Sequence, residues 1–174
     1  MTQLPRFRAI DPEQLPDNPF RLIGKEWMLI TAGTSEKLNM MTASWGGMGI
    51  LWGRPVAFCF VRPQRYTFPL IEGSSVYSLT FFDAAHRDVL DFCGSHSGRD
   101  VDKVAATGLT PVVGSTGAIC FDEARLVIEC RKLYAQDLQE NGFVDPQIVD
   151  RNYPTRDFHR MYVGEVVRML VREG

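Results

Sequence analysis

The run Pro55-Val56-Ala57-Phe58-Cys59-Phe60-Val61 is apolar at nearly every position and stops at Arg62-Pro63. An apolar run this short, bounded by a proline, reads as a strand buried on both faces, so a sheet must be covered on both sides. Other stretches repeat the strand signal. Glu26 to Ala32 is apolar and closed by Gly33, and Leu38 to Trp45 alternates, with Gly33-Thr34-Ser35-Glu36 as the turn between them. Val76 to Phe82, Ala118 to Asp122, the long β-branched Ala124 to Gln136, and the alternating His159 to Arg172 complete the set. Gly46, Gly47 and Gly49 are expected to break regular structure.

Helical segments are few and short. Thr67 can cap Phe68 to Glu72, with Pro69 in the first turn, and Asp83 can cap Ala84 to Cys93, with Gly94 just beyond. Asp100 is expected to cap another helix ending near Gly108. Pro5, Pro12, Pro16 and Pro19 make residues 1–20 an extended arm that wraps the domain or reaches a partner. Residues 137–157 read as irregular. Many modest strands with only short helices make a mainly β barrel, not a doubly wound sheet. The 174 residues suit a single domain, without repeats or low-complexity tracts.

Charge and composition narrow the function classes. A net charge of −2 argues against a nucleic-acid surface or an anionic-membrane surface. No apolar run approaches the length needed to span a bilayer, and Met1-Thr2-Gln3-Leu4-Pro5-Arg6 lacks a signal-peptide pattern. Cys59, Cys93, Cys120 and Cys130 do not make a disulfide scaffold in a chain this long, so a reduced, cytoplasmic protein is expected.

Donor-rich segments carry the chemistry. Thr42-Ala43-Ser44-Trp45, followed by Gly46 and Gly47, puts small side chains beside a Trp where a flat ring can approach backbone amides. The same residues also suit a strand end with a buried Trp. Arg62, Arg65 and Thr67 offer two guanidinium forks and a hydroxyl for a phosphate, or else form a solvated turn. Ser97-Gly98-Arg99-Asp100 with Lys103 is a second donor cluster, or a capped surface helix with an Asp100–Lys103 pair. An aromatic slot beside an anion clamp suggests a phosphorylated aromatic cofactor. His159 either faces a ligand or is a satisfied strand histidine. Walker-type and dinucleotide glycine loops, a nucleophile elbow and a His-x-x-x-His pair are absent, and Cys93 with His96 lacks a second pair for zinc.

Taken in order, Asn39 to Trp45, Arg62-Pro63-x-Arg65-Tyr66-Thr67, Ser97-Gly98-Arg99-Asp100 with Lys103, and His159 with Tyr162-Val163-Gly164-Glu165 resemble the flavin reductase-like family. Within it, the chain resembles the flavoredoxin branch. The resemblance runs from about Gly24 onward and implies an FMN-binding split β-barrel of Greek-key type with a few short helices. It also implies a homodimer with FMN at or near the subunit interface. Carried over, Thr42, Ala43, Ser44 and Trp45 line the isoalloxazine and ribityl chain, and Arg62, Arg65 and Thr67 serve the phosphate. Ser97, Gly98, Arg99 and Lys103 complete the phosphate and ribityl contacts, while His159 and Tyr162 approach from the last strand. The implied activity is NAD(P)H-dependent flavin reduction, passing electrons from NADH or NADPH through FMN to flavin or another small acceptor. The alternative is a flavoredoxin-like electron carrier reduced by a partner protein. No catalytic side chain and no metal are assigned, because the cofactor performs the redox chemistry.

Overall fold

The computed structural model describes residues 6–173. In chain order its strands are β1 (Phe7–Ile10), β2 (Met28–Gly33), β3 (Leu38–Ala43), β4 (Gly46–Leu51), β5 (Arg54–Val61), β6 (Val76–Phe81), β7 (Pro111–Val113), β8 (Ile119–Phe121), β9 (Leu126–Asp137) and β10 (Arg160–Arg172). Eight of them form one antiparallel sheet in the order β3-β2-β6-β9-β10-β5-β4, with β1 also on β10, while β7 and β8 pair separately. The helices are α1 (Pro19–Arg21), α2 (Thr67–Gly73), α3 (Arg87–Ser95), α4 (Lys103–Thr107) and α5 (Pro146–Asn152). No helix among the described residues is long and apolar enough to cross a membrane.

Two apolar clusters sandwich the sheet. Met28, Ile30, Tyr77, Leu79, Ile128, Cys130 and Tyr162 share one, while Leu29, Met40, Leu90, Phe121, Val127 and Leu170 share the other. Consecutive residues of β2 and β9 therefore enter opposite clusters, which is why both read as continuous apolar runs. In β5, by contrast, Ala57, Cys59 and Val61 are buried whereas Phe58 and Phe60 are only half-buried. The strand taken from its apolar run as doubly buried thus has one partly open face. Cys59, Cys93, Cys120 and Cys130 are all buried free thiols.

Several local expectations change. Part of the N-terminal arm is a strand, since Phe7 to Ile10 pairs with Arg172 to Met169; its first residues, 1–5, lie outside the described residues. Gly46, Gly47 and Gly49 do not end regular structure but form β4 against β5. A Cβ at Gly46 would sit 2.6 Å from the Phe58 carbonyl oxygen, so this strand pairing needs a residue without a side chain. The helix expected over Ala84 to Cys93 is a 3₁₀ turn, Ala84–His86, capped by Asp83 and followed by α3, which runs through Gly94. Asp102, not Asp100, caps α4, with Gly108 left-handed behind it (φ 70°). Residues 137–157 are not wholly irregular: Asp145 caps α5 and Pro146 occupies its first turn, a start signal present in the sequence. The edge strand β7 was also unforeseen.

Candidate functional site

The end of β3, the turn between β5 and α2, the α3–α4 connection and the segment before β10 meet around one groove. Its inner part is a cavity of about 230 Å³ lined by Met41, Thr42, Ala43, Ser44, Trp45, Phe60, Arg62, Arg65 and His159. Arg65 also lines an adjoining hollow of about 170 Å³ with Asn39, Gln64, Tyr66, Ser97, Gly98, Arg99 and Lys103. Asn39, Tyr66, Gly98, Arg99 and Lys103 in turn line an outer cavity of about 520 Å³. Segments more than a hundred residues apart thus share one continuous wall.

Arg65 is the most informative side chain. Its Nη1 donates to the Gly94 carbonyl (3.1 Å), while Nη2 is buried without a hydrogen-bond partner among the described residues. Burial, then the nearby Arg62 charge, lowers its pKa. A guanidinium nitrogen buried with its donors free is costly unless an acceptor arrives, and a phosphate or other anion would supply it. Arg62 has the opposite character. It forms a tight ion pair with Asp157, donates to the Asn152 carbonyl (2.8 Å), and lies 5.3 Å from the Tyr153 ring centroid. Arg62 therefore lines the groove but anchors the segment carrying Asn152, Tyr153 and Asp157, rather than standing free as the expected phosphate ligand.

Thr67 departs further from expectation. It is fully buried, makes no side-chain cap, and its hydroxyl accepts a hydrogen bond from Asn39 Nδ2 (2.8 Å). The structure places it beneath the groove, holding Asn39. Lys103 is also buried, donating from Nζ to the Met40 (2.9 Å) and Cys93 (2.8 Å) carbonyls. Burial lowers its pKa to about 8, with Cys93 opposing and Arg65 assisting. Lys103 thus ties β3 to α3 behind the hollow and sits at the start of α4. Ser97 Oγ accepts from the Arg99 amide (3.2 Å), and Arg99 Nη1 donates to the Gln64 carbonyl (2.9 Å). Any Cβ at Gly98 would lie 2.1 Å from Asn39 Oδ1 and 2.8 Å from Tyr66 Cδ1, so glycine is what lets the loop close on β3.

At the inner end, Trp45 is 45% exposed and its ring lies 5.2 Å from the His159 ring. Thr42 turns its hydroxyl to the Leu90 carbonyl, fixing α3 against β3. Ala43 and Ser44 line the slot beside Trp45. His159 pairs through Nδ1 with the Tyr153 hydroxyl (2.9 Å). Burial, then Arg62, lowers its pKa to about 4 against an opposing pull from Asp157, so the ring is neutral at ordinary pH. Tyr162 is not in the groove: it is fully buried in the core and donates to Glu72 Oε1 (2.7 Å). Strand alternation separates it from His159.

Sequence reasoning placed Asn39 in a motif without giving it a role, and it did not single out Phe60, Gln64, Tyr153 or Asp157 as parts of this region. Asn39 carried a signal, as a polar residue inside an apolar strand. Tyr153 and Asp157 carried none, because only the fold brings them to Arg62 and His159. Among the described residues no group of His, Cys, Asp and Glu is arranged to hold a metal ion.

The structure is similar to that of an FMN-binding protein from Thermus thermophilus with bound p-hydroxybenzaldehyde (TM-score 0.67). The two are 26% identical, over 96% of this chain and 81% of that one. Flavoredoxin of Desulfovibrio vulgaris (Miyazaki F) has the same fold, with TM-score 0.66, 22% identity, and coverage of 84% and 69%. So has a Streptomyces globisporus NADH:FAD oxidoreductase in complex with NAD and FAD fragments, with TM-score 0.63, 17% identity, and coverage of 96% and 90%. These neighbours establish the mainly β split barrel. No curated protein matches the chain by sequence. The model of the flavin reductase like domain matches residues 20–174, and the chain belongs to the flavin reductase-like family.

Proposed function

We propose that this protein binds FMN in the groove and is an oxidoreductase, passing electrons from NADH or NADPH through FMN to flavin or another small acceptor. The observation that carries the reading is the buried, unpartnered Nη2 of Arg65 between the Trp45 slot and the Ser97–Arg99 turn. A phosphorylated ring fits that sequence of surfaces, with its ring beside Trp45 and its anionic end toward Arg65. The FMN named for the Thermus relative supports the cofactor, and the NAD named for the Streptomyces oxidoreductase supports a nicotinamide donor.

When bound, FMN supplies the hydride and electron chemistry. The chain's own residues bind and orient it. Arg65 presents a donor, Ser97 and Arg99 hold the turn that walls the hollow, and Trp45 and Phe60 offer apolar ring faces to the inner slot. Backbone amides from Ser44 and Trp45, in the lining of the inner slot, would donate to the ring edge. Trp45, Ile50 and Trp52 remain exposed along and beside β4, an apolar edge that supports assembly as a homodimer near the cofactor.

The test is an absorbance spectrum of the purified protein with FMN, taken before and after anaerobic NADH and then NADPH. Flavin bands that bleach at once with one donor support the reductase and identify the donor. Bands indifferent to both point to an electron carrier reduced by a partner protein. Failure to bind FMN removes the proposal.

A further inference from the structure

We propose that Tyr153 is a positioning residue that fixes His159 as a neutral Nε2–H donor facing the inner groove, so that whatever lodges beside Trp45 presents a hydrogen-bond acceptor there. The argument begins with proton accounting. Tyr153 is buried, and among the described residues the only partner of its hydroxyl is His159 Nδ1, at 2.9 Å. A buried hydroxyl whose hydrogen has no acceptor is costly, so Tyr153 donates and Nδ1 accepts. In a neutral imidazole the proton must then sit on Nε2.

Nε2 has no protein partner among the described residues, and it is not among the fully buried unsatisfied atoms either. The ring that carries it lines the 230 Å³ cavity beside Trp45 and across from Phe60. Its donor is therefore open to that cavity. Packing leaves the ring little freedom. The Phe60 ring meets it edge-on at 6.5 Å, and Tyr153 is wedged against Phe143 and Phe158. The charged neighbours favour neutrality. Arg62 opposes an imidazolium, and the carboxylate that would support one, Asp157, is taken up by Arg62 and Gln64.

Only the identity of the ligand rests on the function proposed above; the tautomer does not. The experiment is a long-range ¹⁵N–¹H correlation spectrum of the histidine rings in the full chain, from pH 5 to 8. With three histidines, substitution of each one assigns the signals. The expected result is a His159 ring that stays neutral throughout, with Nε2 protonated and Nδ1 showing the shift of a hydrogen-bonded acceptor. In Tyr153→Phe that Nδ1 shift is lost and the two tautomers mix, with the amide fingerprint showing a retained fold. A predominantly Nδ1-protonated ring in the unsubstituted protein overturns the proposal, and does so even if Tyr153→Phe fails to fold. So does an unchanged His159 spectrum in a folded Tyr153→Phe. FMN is then added as probe. Movement of the Nε2–H signal on binding supports the assignment, and bound FMN with that signal unmoved overturns the groove-facing donor. Absence of FMN binding sinks the function proposed above, and the tautomer read without FMN then decides this inference by itself.

Discussion

The two walls of the groove use the same kinds of residue to opposite ends. On one wall, Arg62, Asp157, Tyr153 and His159 satisfy one another: the guanidinium has its carboxylate and a carbonyl, and the imidazole has its phenol. On the other, Arg65 keeps a buried donor without a partner, behind a loop that Gly98 allows to close on Asn39. Arg62 and Arg65 stand three residues apart in one turn and look equivalent in the sequence. Their difference shows that a charge completed by its own chain is a fastening, whereas one left incomplete is an invitation to a ligand. Apart from His159, whose Nε2 faces the groove, substitutions on the first wall should register in stability, and those on the second in binding.

The largest effect is expected from His159. Its pKa is about 4 in the folded protein, against the ordinary 6.5 expected when unfolded. Between those values the unfolded chain binds more protons. The neutral ring's contribution is therefore fully present above about pH 6.5 and is lost as pH falls toward 4, by on the order of a few kcal/mol. Denaturant melts of His159→Phe across that range should show a flatter pH profile. An equal slope in both proteins would detach this wall from acid sensitivity.

Next comes Arg65→Ala. Losing a charge-assisted contact should weaken FMN binding by about 1.5–3 kcal/mol, or roughly 10- to 100-fold, read by fluorescence titration. Arg62→Ala should weaken it much less. Equal losses would erase the contrast between the walls.

Gly98→Ala should combine a stability cost of about 1–3 kcal/mol with weaker FMN binding, because Asn39 and Tyr66 must both give way. A crystal structure or thermal melt identical to that of the parent protein would show that the loop is not closed on β3 as described.

The smallest change is expected from Asp157→Asn. Burial works against this carboxyl's ionisation, but hydrogen bonds from Arg62, Thr155 and Gln64 outweigh it and bring its pKa down to about 2. Its contribution is present above about pH 4 and disappears as pH falls through 2. The substitution should cost about 1 kcal/mol at neutral pH and speed proteolysis within residues 138–157, leaving FMN affinity nearly unchanged. Protection from proteases equal to the parent's would mean that the segment is held elsewhere.

Legibility followed the range of the interactions. The strand-rich architecture, the short helices and the donor clusters at 62–67 and 97–103 were visible because apolar periodicity and turn chemistry are written within a few residues. So was the family, through the order of its motifs. Even the misplaced cap at Asp100 missed its true position, Asp102, by two residues. Which donors stay free was not written there. That Arg62 is taken by Asp157, that Thr67 holds Asn39, that Lys103 serves two carbonyls and that Tyr162 faces the core all depend on segments distant in sequence. The glycines of β4 likewise became a strand only because β5 offered its backbone. Local sequence determined which chemical groups this protein possesses and roughly which elements carry them. Tertiary structure alone decided which of those groups are already paired, because pairing depends on distance in space and on the water excluded around each charge.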